Sequence, residues 1–202
     1  MSTALSGDHA ALFPLKTVLF PGSRLRLQIF EQRYLRLVRT SLRDDHGFVV
    51  VLISEGSEVG AAPEIYKTGI YADIVDWETL DNGLLGITIE ARHRVRVSNP
   101  GAQDDGLLTG YIQPLPDLNV ETPDAVTLIN DLVDTLVALE NHPYIEQQNI
   151  RIDYSNASEV CYRLAQLLPV DALVKQSLLE IDETARRAER LRELIKKLED
   201  AV

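Results

Sequence analysis

The sequence predicts an α+β protein, with a β-rich lobe over residues 1–118 followed by a helical lobe over residues 119–202. Three observations predict it. Up to Pro114, Pro116 and Asp117, short apolar runs and apolar-polar alternations are punctuated by Gly, Pro, Asn and Asp, the pattern of strands joined by turns. Beyond Val120 the apolar residues recur at spacings of three and four, the helical period. Between Leu12 and Val38 both patterns follow each other directly, so a strand, a turn, a strand and a helix are written in one stretch.

Leu15 to Phe20 has the length and the β-branched and aromatic content of a buried strand. Pro21-Gly22 ends it, since proline fixes φ and glycine is free to take φ > 0. Leu25, Leu27 and Ile29 alternate with Arg24, Arg26 and Gln28, as a half-solvated strand requires. From Phe30 the period turns helical, with Phe30, Tyr34, Leu37 or Val38 and Leu42 on the apolar face and Arg33, Arg36, Arg39 and Arg43 on the other. Leu27 and Phe30 are both expected in the core.

Asp44-Asp45-His46-Gly47 is a turn cluster, and Phe48 to Ile53 is a continuous apolar run expected as a central strand. Ser54 to Lys67 reads as a surface loop, where function often sits. Ile70 to Trp77 and Leu84 to Glu90, joined by Asp81-Asn82-Gly83, predict an antiparallel hairpin. Arg92, Arg94 and Arg96 alternate with His93, Val95 and Val97, which places three guanidiniums on one strand face. Ser98 to Gly106 is a loop and Leu107 to Gln113 the last strand. Tyr71 and Trp77 share strand parity, and an outward aromatic pair would dock a peptide, although core packing is the more ordinary use.

In the helical lobe Thr122 is a cap with Pro123 behind it, and Val126, Ile129, Val133, Leu136 and Val137 define an apolar face. His142 to Asp153 is a polar connector. Asn156 and Glu159 cap a helix that runs to Leu168 and is broken by Pro169, and Asp171 to Glu180 forms another. Thr184, Ala188, Leu191, Ile195 and Leu198 form a short heptad seam, expected to pack on the preceding helices rather than to form a free coiled coil.

A chain of 202 residues with 45% hydrophobic content can bury a sizeable core. Its formal charge of −11 opposes general binding to nucleic acid or to an anionic membrane. The single cysteine, Cys161, permits no intrachain disulfide, and a cytoplasmic location is expected from that and from the lack of a signal or membrane-spanning run.

His9, His46, His93 and His142 are scattered, without the spacing of a zinc site, and no metal or cofactor is expected. Cys161 reads as a small core residue. Lys175 and Ser177 are two apart on a helix and point to different faces. There is no G-x-S-x-G elbow and no G-x-x-x-x-G-K-[ST] phosphate loop. No catalytic constellation is visible. The arginine stripe suits an anion or a nucleic-acid backbone, against the ordinary reading of a solvated face paired with nearby carboxylates.

LFPLKTVLFPG, followed by a leucine-bearing strand and IFEQRYLRLV, resembles the opening of the Lon protease N-terminal, substrate-binding domain. The resemblance runs over nearly the whole chain. It implies a PUA-like β pseudobarrel followed by helices, and recognition of unfolded or apolar polypeptide segments, as an adaptor or regulator in proteolysis with a protease as partner. Members carry a strand reading approximately G-x-x-R-x-R-V after the hairpin. Ala91 stands here where glycine is usual, which puts the local bulge in question.

The expected function is therefore a non-catalytic protein- or peptide-binding module, with Tyr71, Trp77 and Arg94 as candidate substrate contacts. The chain is expected to be a monomer or a weak dimer through its last helix. The alternative is a PUA-like RNA- or anion-binding protein that uses Arg92, Arg94 and Arg96.

Overall fold

The computed structural model describes residues 8–118, 123–140 and 153–200. The chain divides into two compact units, Met1–Leu115 and Pro116–Val202. Asp117 and Leu118 go with the helices because Leu118 N donates to Asp182 O at 2.9 Å and Leu118 O accepts from Thr184 N at 3.1 Å.

The first unit contains β1 (Asp8–Leu15), β2 (Arg24–Ile29), α1 (Gln32–Asp44), β3 (Phe48–Glu55), β4 (Glu64–Thr79), β5 (Leu85–Ala102) and β6 (Leu108–Pro114). The sheet order is β2-β5-β4-β3-β1-β6, and β6 also pairs with β5, so the strands form a partly closed pseudobarrel. β1 and β3 run parallel and the other pairs are antiparallel.

Phe48 to Ile53 is the central strand expected, buried throughout between β1 and β4. The Asp81-Asn82-Gly83 turn joins β4 to β5, with Gly83 at φ +77°. The first strand lies earlier than predicted. Asp8 to Leu15 pairs with β6 and β3, whereas Val18 to Phe20 is buried without strand pairing. A continuous apolar run records burial but not which of its residues find a ladder partner. Gly22 takes φ +82°, as the Pro21-Gly22 turn requires.

The sheet has two apolar faces. Leu12, Val49, Val51, Val95, Val97, Leu108 and Ile112 form the interior cluster, with Tyr71 packed against it. The opposite face carries Phe13, Phe48, Ile70, Ala72 and Ile89. Tyr34 of α1 covers part of that face, its ring stacked on Phe13 at 4.2 Å, and Phe13 in turn lies 5.6 Å from Phe48.

Tyr34, Leu37 and Val38 are buried as the helical period predicts, but Phe30 precedes α1 and is exposed, and so is Leu42. Ser41 is buried on the helix face instead. Arg33, predicted on the polar face, is buried. Its guanidinium donates to Gly106 O at 2.9 Å, pairs with Glu31 at 3.0 Å and lies 4.8 Å over the Tyr34 ring. Periodicity cannot anticipate such a placement, because the bonds come from outside the helix.

The second unit contains α2 (Pro123–Glu140), α3 (Ala157–Leu167), α4 (Ala172–Leu179) and α5 (Thr184–Glu199). Asn156 caps α3 by accepting from Ser158 N and Glu159 N. The Thr122 cap, Val126 and most of the His142 to Asp153 connector lie outside the described residues. On α2 the buried stripe is Leu128, Leu132 and Leu136, while Ile129 and Val133 are half-buried and Val137 is exposed. On α5 the seam residues Thr184, Ala188 and Leu191 are buried together with Leu194 and Arg187, and α5 packs against α2, α3 and α4. Packing on the preceding helices is therefore what the heptad pattern encodes.

Candidate functional site: an apolar groove along the β2 edge

Strand β2 pairs with β5 alone among the described residues. Beside it lies a groove of about 220 Å³ whose walls include Phe13, Leu27, Phe30, Tyr34, Glu58 and Val59. The loop between β3 and β4 supplies Glu58 and Val59, and the turn between β2 and α1 supplies Phe30 and Glu31. Phe30 is 53% and Val59 56% exposed. Two large apolar side chains thus border one groove in contact with water.

Register places Trp77 in line with the groove wall, on the far side of the buried Ile87. Leu27 pairs with Ile87, and Ile87 pairs with Trp77, so the three lie in one row on one face, with Leu27 and Trp77 roughly 10 Å apart at two strand spacings. Trp77 is 61% exposed. The other face of these strands is charged: Arg24 Nε donates to Glu90 at 2.8 Å, Arg92 Nε donates to Asp73 at 2.7 Å, and Arg26 lies 3.9 Å from Glu78. Near the groove Glu58 accepts from Lys16 N at 2.6 Å, and burial pushes the Tyr34 hydroxyl above its ordinary pKa.

Tyr71, Trp77 and Arg94 are not brought together. A register shift between Ile74 and Asp76 inserts Val75 and breaks the alternation, so Trp77 does not share a face with Tyr71. Tyr71 packs on the interior cluster, stacks on His93 at 5.2 Å and accepts from Gly47 N through its hydroxyl at 2.7 Å. Arg94 is buried at 1% exposure in register with Ile70.

The predicted stripe of three guanidiniums is likewise not an open face. Arg92 is the extra residue where Ala91 pairs with Ala72 and His93 pairs with Tyr71, and it is bound to Asp73 and Glu90. The bulge exists despite Ala91, which stands at no positive φ and exchanges bonds with Gly22 and Ser23.

Cys161 is buried, and desolvation pushes its thiol up to about 12. The Lys175 ammonium donates to Gln166 O at 2.8 Å and is held below its ordinary value by burial, while Ser177 donates to Val174 O at 2.7 Å. These two residues do not form a pair. Among the described residues no cluster could hold a metal ion, and no helix is long and apolar enough to cross a membrane. Phe30 and Val59 escaped the sequence reading. The one signal for Val59 was its place in the Ser54 to Lys67 loop; Phe30 was expected in the core, and only the start of α1 at Gln32 places it outside the helix.

The first unit is thus a partly closed pseudobarrel with a groove open along its β2 edge. The chain belongs to the family described as the ATP-dependent protease La (LON) substrate-binding domain, whose model matches residues 9–197. It is 27% identical over 195 residues to a Lon protease of Parabacteroides distasonis, covering 92% of this chain and 23% of that protein. It is 29% identical over 205 residues to a Lon protease of Orientia tsutsugamushi, covering 96% and 25%. The chain thus spans about a quarter of the length of these curated relatives.

Among solved structures it is similar to a Lon N-terminal domain protein from Xanthomonas campestris, with a TM-score of 0.72 and 31% identity over 92% of this chain and 98% of that one. The N-terminal domain of Mycobacterium avium complex Lon protease shares the fold, with a TM-score of 0.71 at 14% identity over 96% and 100% of the two chains.

Proposed function

We propose that this chain is a non-catalytic polypeptide-binding module that holds exposed apolar segments in the β2 groove and presents them to a protease, or regulates one, in the cytoplasm. The observation that carries the reading is the water-exposed pair Phe30 and Val59 bordering one groove in a substrate-binding family. At about 220 Å³ the groove suits one bulky side chain and falls below the ~300–1,000 Å³ of a small-molecule pocket. The anion-binding alternative is weakened by the burial of Arg94 and the pairing of Arg92. Trp77 stands as a separate exposed aromatic in the Leu27 row, beyond the buried Ile87, and Tyr71 and Arg94 act only through packing.

Fluorescence anisotropy with a labelled, permanently unfolded polypeptide and a labelled RNA, each at low and physiological salt, tests the proposal. The polypeptide binds with little salt dependence, since apolar burial is not screened. Phe30→Ala weakens that binding about tenfold, the size of one interface anchor. Tight, salt-sensitive RNA binding without polypeptide binding would overturn the assignment. The purified chain is also expected neither to hydrolyse ATP nor to cleave casein; turnover abolished by mutating one of its own residues would refute the non-catalytic reading.

A further inference from the structure

We propose that β2 binds its polypeptide by strand addition, and that the preferred segment is extended, with alternating apolar and acidic side chains. This rests on the polypeptide-binding reading above and specifies its mode and ligand.

The backbone bonds of β2 carry the argument. Ala91 N donates to Ser23 O at 2.9 Å, one rung before the strand begins. Hydrogen-bonded and non-hydrogen-bonded pairs alternate in an antiparallel ladder. With Arg24 opposite Glu90 and Leu25 opposite Ile89, the pairs that exchange bonds are Leu25 with Ile89, Leu27 with Ile87 and Ile29 with Leu85. The N–H and C=O groups of Arg24, Arg26 and Gln28 therefore point away from β5, along an edge that pairs with no other strand among the described residues.

Such a row of donors and acceptors is a template for another strand. The groove runs beside the same residues, lined by Arg26, Leu27, Gln28 and Ile29 in succession. An added strand would set alternate side chains on the Leu25, Leu27 and Ile29 side, where Phe30 and Val59 border the groove, and the intervening ones beside Arg24 and Arg26.

Charge selects the occupant. The Arg26 side chain is 81% exposed and only 3.9 Å from Glu78, so it is the weakly held cation of the edge. A second copy of this chain fits poorly, because two-fold antiparallel pairing centred on Leu25, Arg26 or Leu27 places Arg26 against Arg24, Arg26 or Gln28, never against a carboxylate, and like charges directly opposite are destabilising. A carboxylate on the incoming strand meets Arg26 instead. The charge of −11 does not prevent this at physiological salt, where charges beyond ~8 Å are largely screened.

The test uses fluorescent nonapeptides of alternating Leu and Glu, the Leu and Lys counterpart, and two N-methylated forms of the first, each methylated on one alternate set of amides. Expected are about tenfold or greater loss for one methylated form with little loss for the other, tighter binding of the Glu than the Lys peptide, and slowed amide exchange at Arg26 and Gln28 on binding. Gln28→Pro removes only an outward N–H, a position where an edge strand tolerates proline, and it weakens the Glu peptide about tenfold. Should that variant unfold, the methylated peptides on the wild-type chain decide alone.

Equal effects of both methylation patterns, with Phe30→Ala still weakening binding, would overturn strand addition and leave the groove reading standing. Equal or reversed affinities of the Glu and Lys peptides would overturn the acidic preference. Absence of binding by every peptide and by the unfolded polypeptide would overturn both proposals. A dimer through β2 that is abolished by Gln28→Pro would show a second copy to be the occupant.

Discussion

Arg187→Ala is expected to destabilise the helical unit by about 3–5 kcal/mol, the cost of removing one partner from a buried ion pair. Arg187 is fully buried on α5. Its Nη2 lies 3.1 Å from Asp117 Oδ1, its Nε donates to Leu178 O at 3.3 Å, it also donates to Ile181 O, and its guanidinium sits 4.3 Å over the Tyr162 ring. Tyr162 donates its hydroxyl to the same Asp117 carboxylate. Alanine removes the donor to two carbonyls, the partner of a carboxylate and the cover of a ring together.

Arg187→Lys restores the charge but not the planar fork that serves several acceptors, and it is expected to recover only part of the loss. Calorimetry with chemical denaturation checks this. An unchanged melting profile for Arg187→Ala would show that the network contributes nothing net.

Phe48→Ala and Phe30→Ala are expected to separate sharply in stability. Phe48 is fully buried at the start of β3, against Phe13 on one side and in register with Ala72 on the other. Deleting its ring leaves a cavity in close-packed surroundings, at a cost of about 3–5 kcal/mol. Phe30 is half in water before it is mutated, so its removal costs less than about 1 kcal/mol while still weakening polypeptide binding. Urea titration of both variants measures the difference. Equal destabilisation would mean that Phe30 packs into the core, as its place in the sequence suggested, and that the groove is closed.

The two phenylalanines show where sequence reasoning ends. Both sit in apolar patterns, and only the tertiary structure separates a ring packed beside Phe13 in the core from a ring at the lip of a groove. Local signals sufficed where one element sets its own environment. The all-apolar run of β3, the turns at Gly22 and Gly83, the Asn156 cap and the packing of the last helix were readable because each follows from backbone geometry or local period.

The β4–β5 hairpin was readable, but the faces of its strands and the long-range pairings were not. The alternation of arginines in β5 implied one open stripe, but the bulge at Arg92 and the burial of Arg94 are set by neighbouring strands. Likewise the inserted Val75 takes Trp77 off the face of Tyr71, and the register then aligns it with Ile87 and Leu27. By itself the sequence determined an α+β chain of this family, its central strand and its main turns. Only the tertiary structure decided which strand edge stays unpaired among the described residues and which apolar side chains line it, because those depend on partners distant in the chain that no local period records.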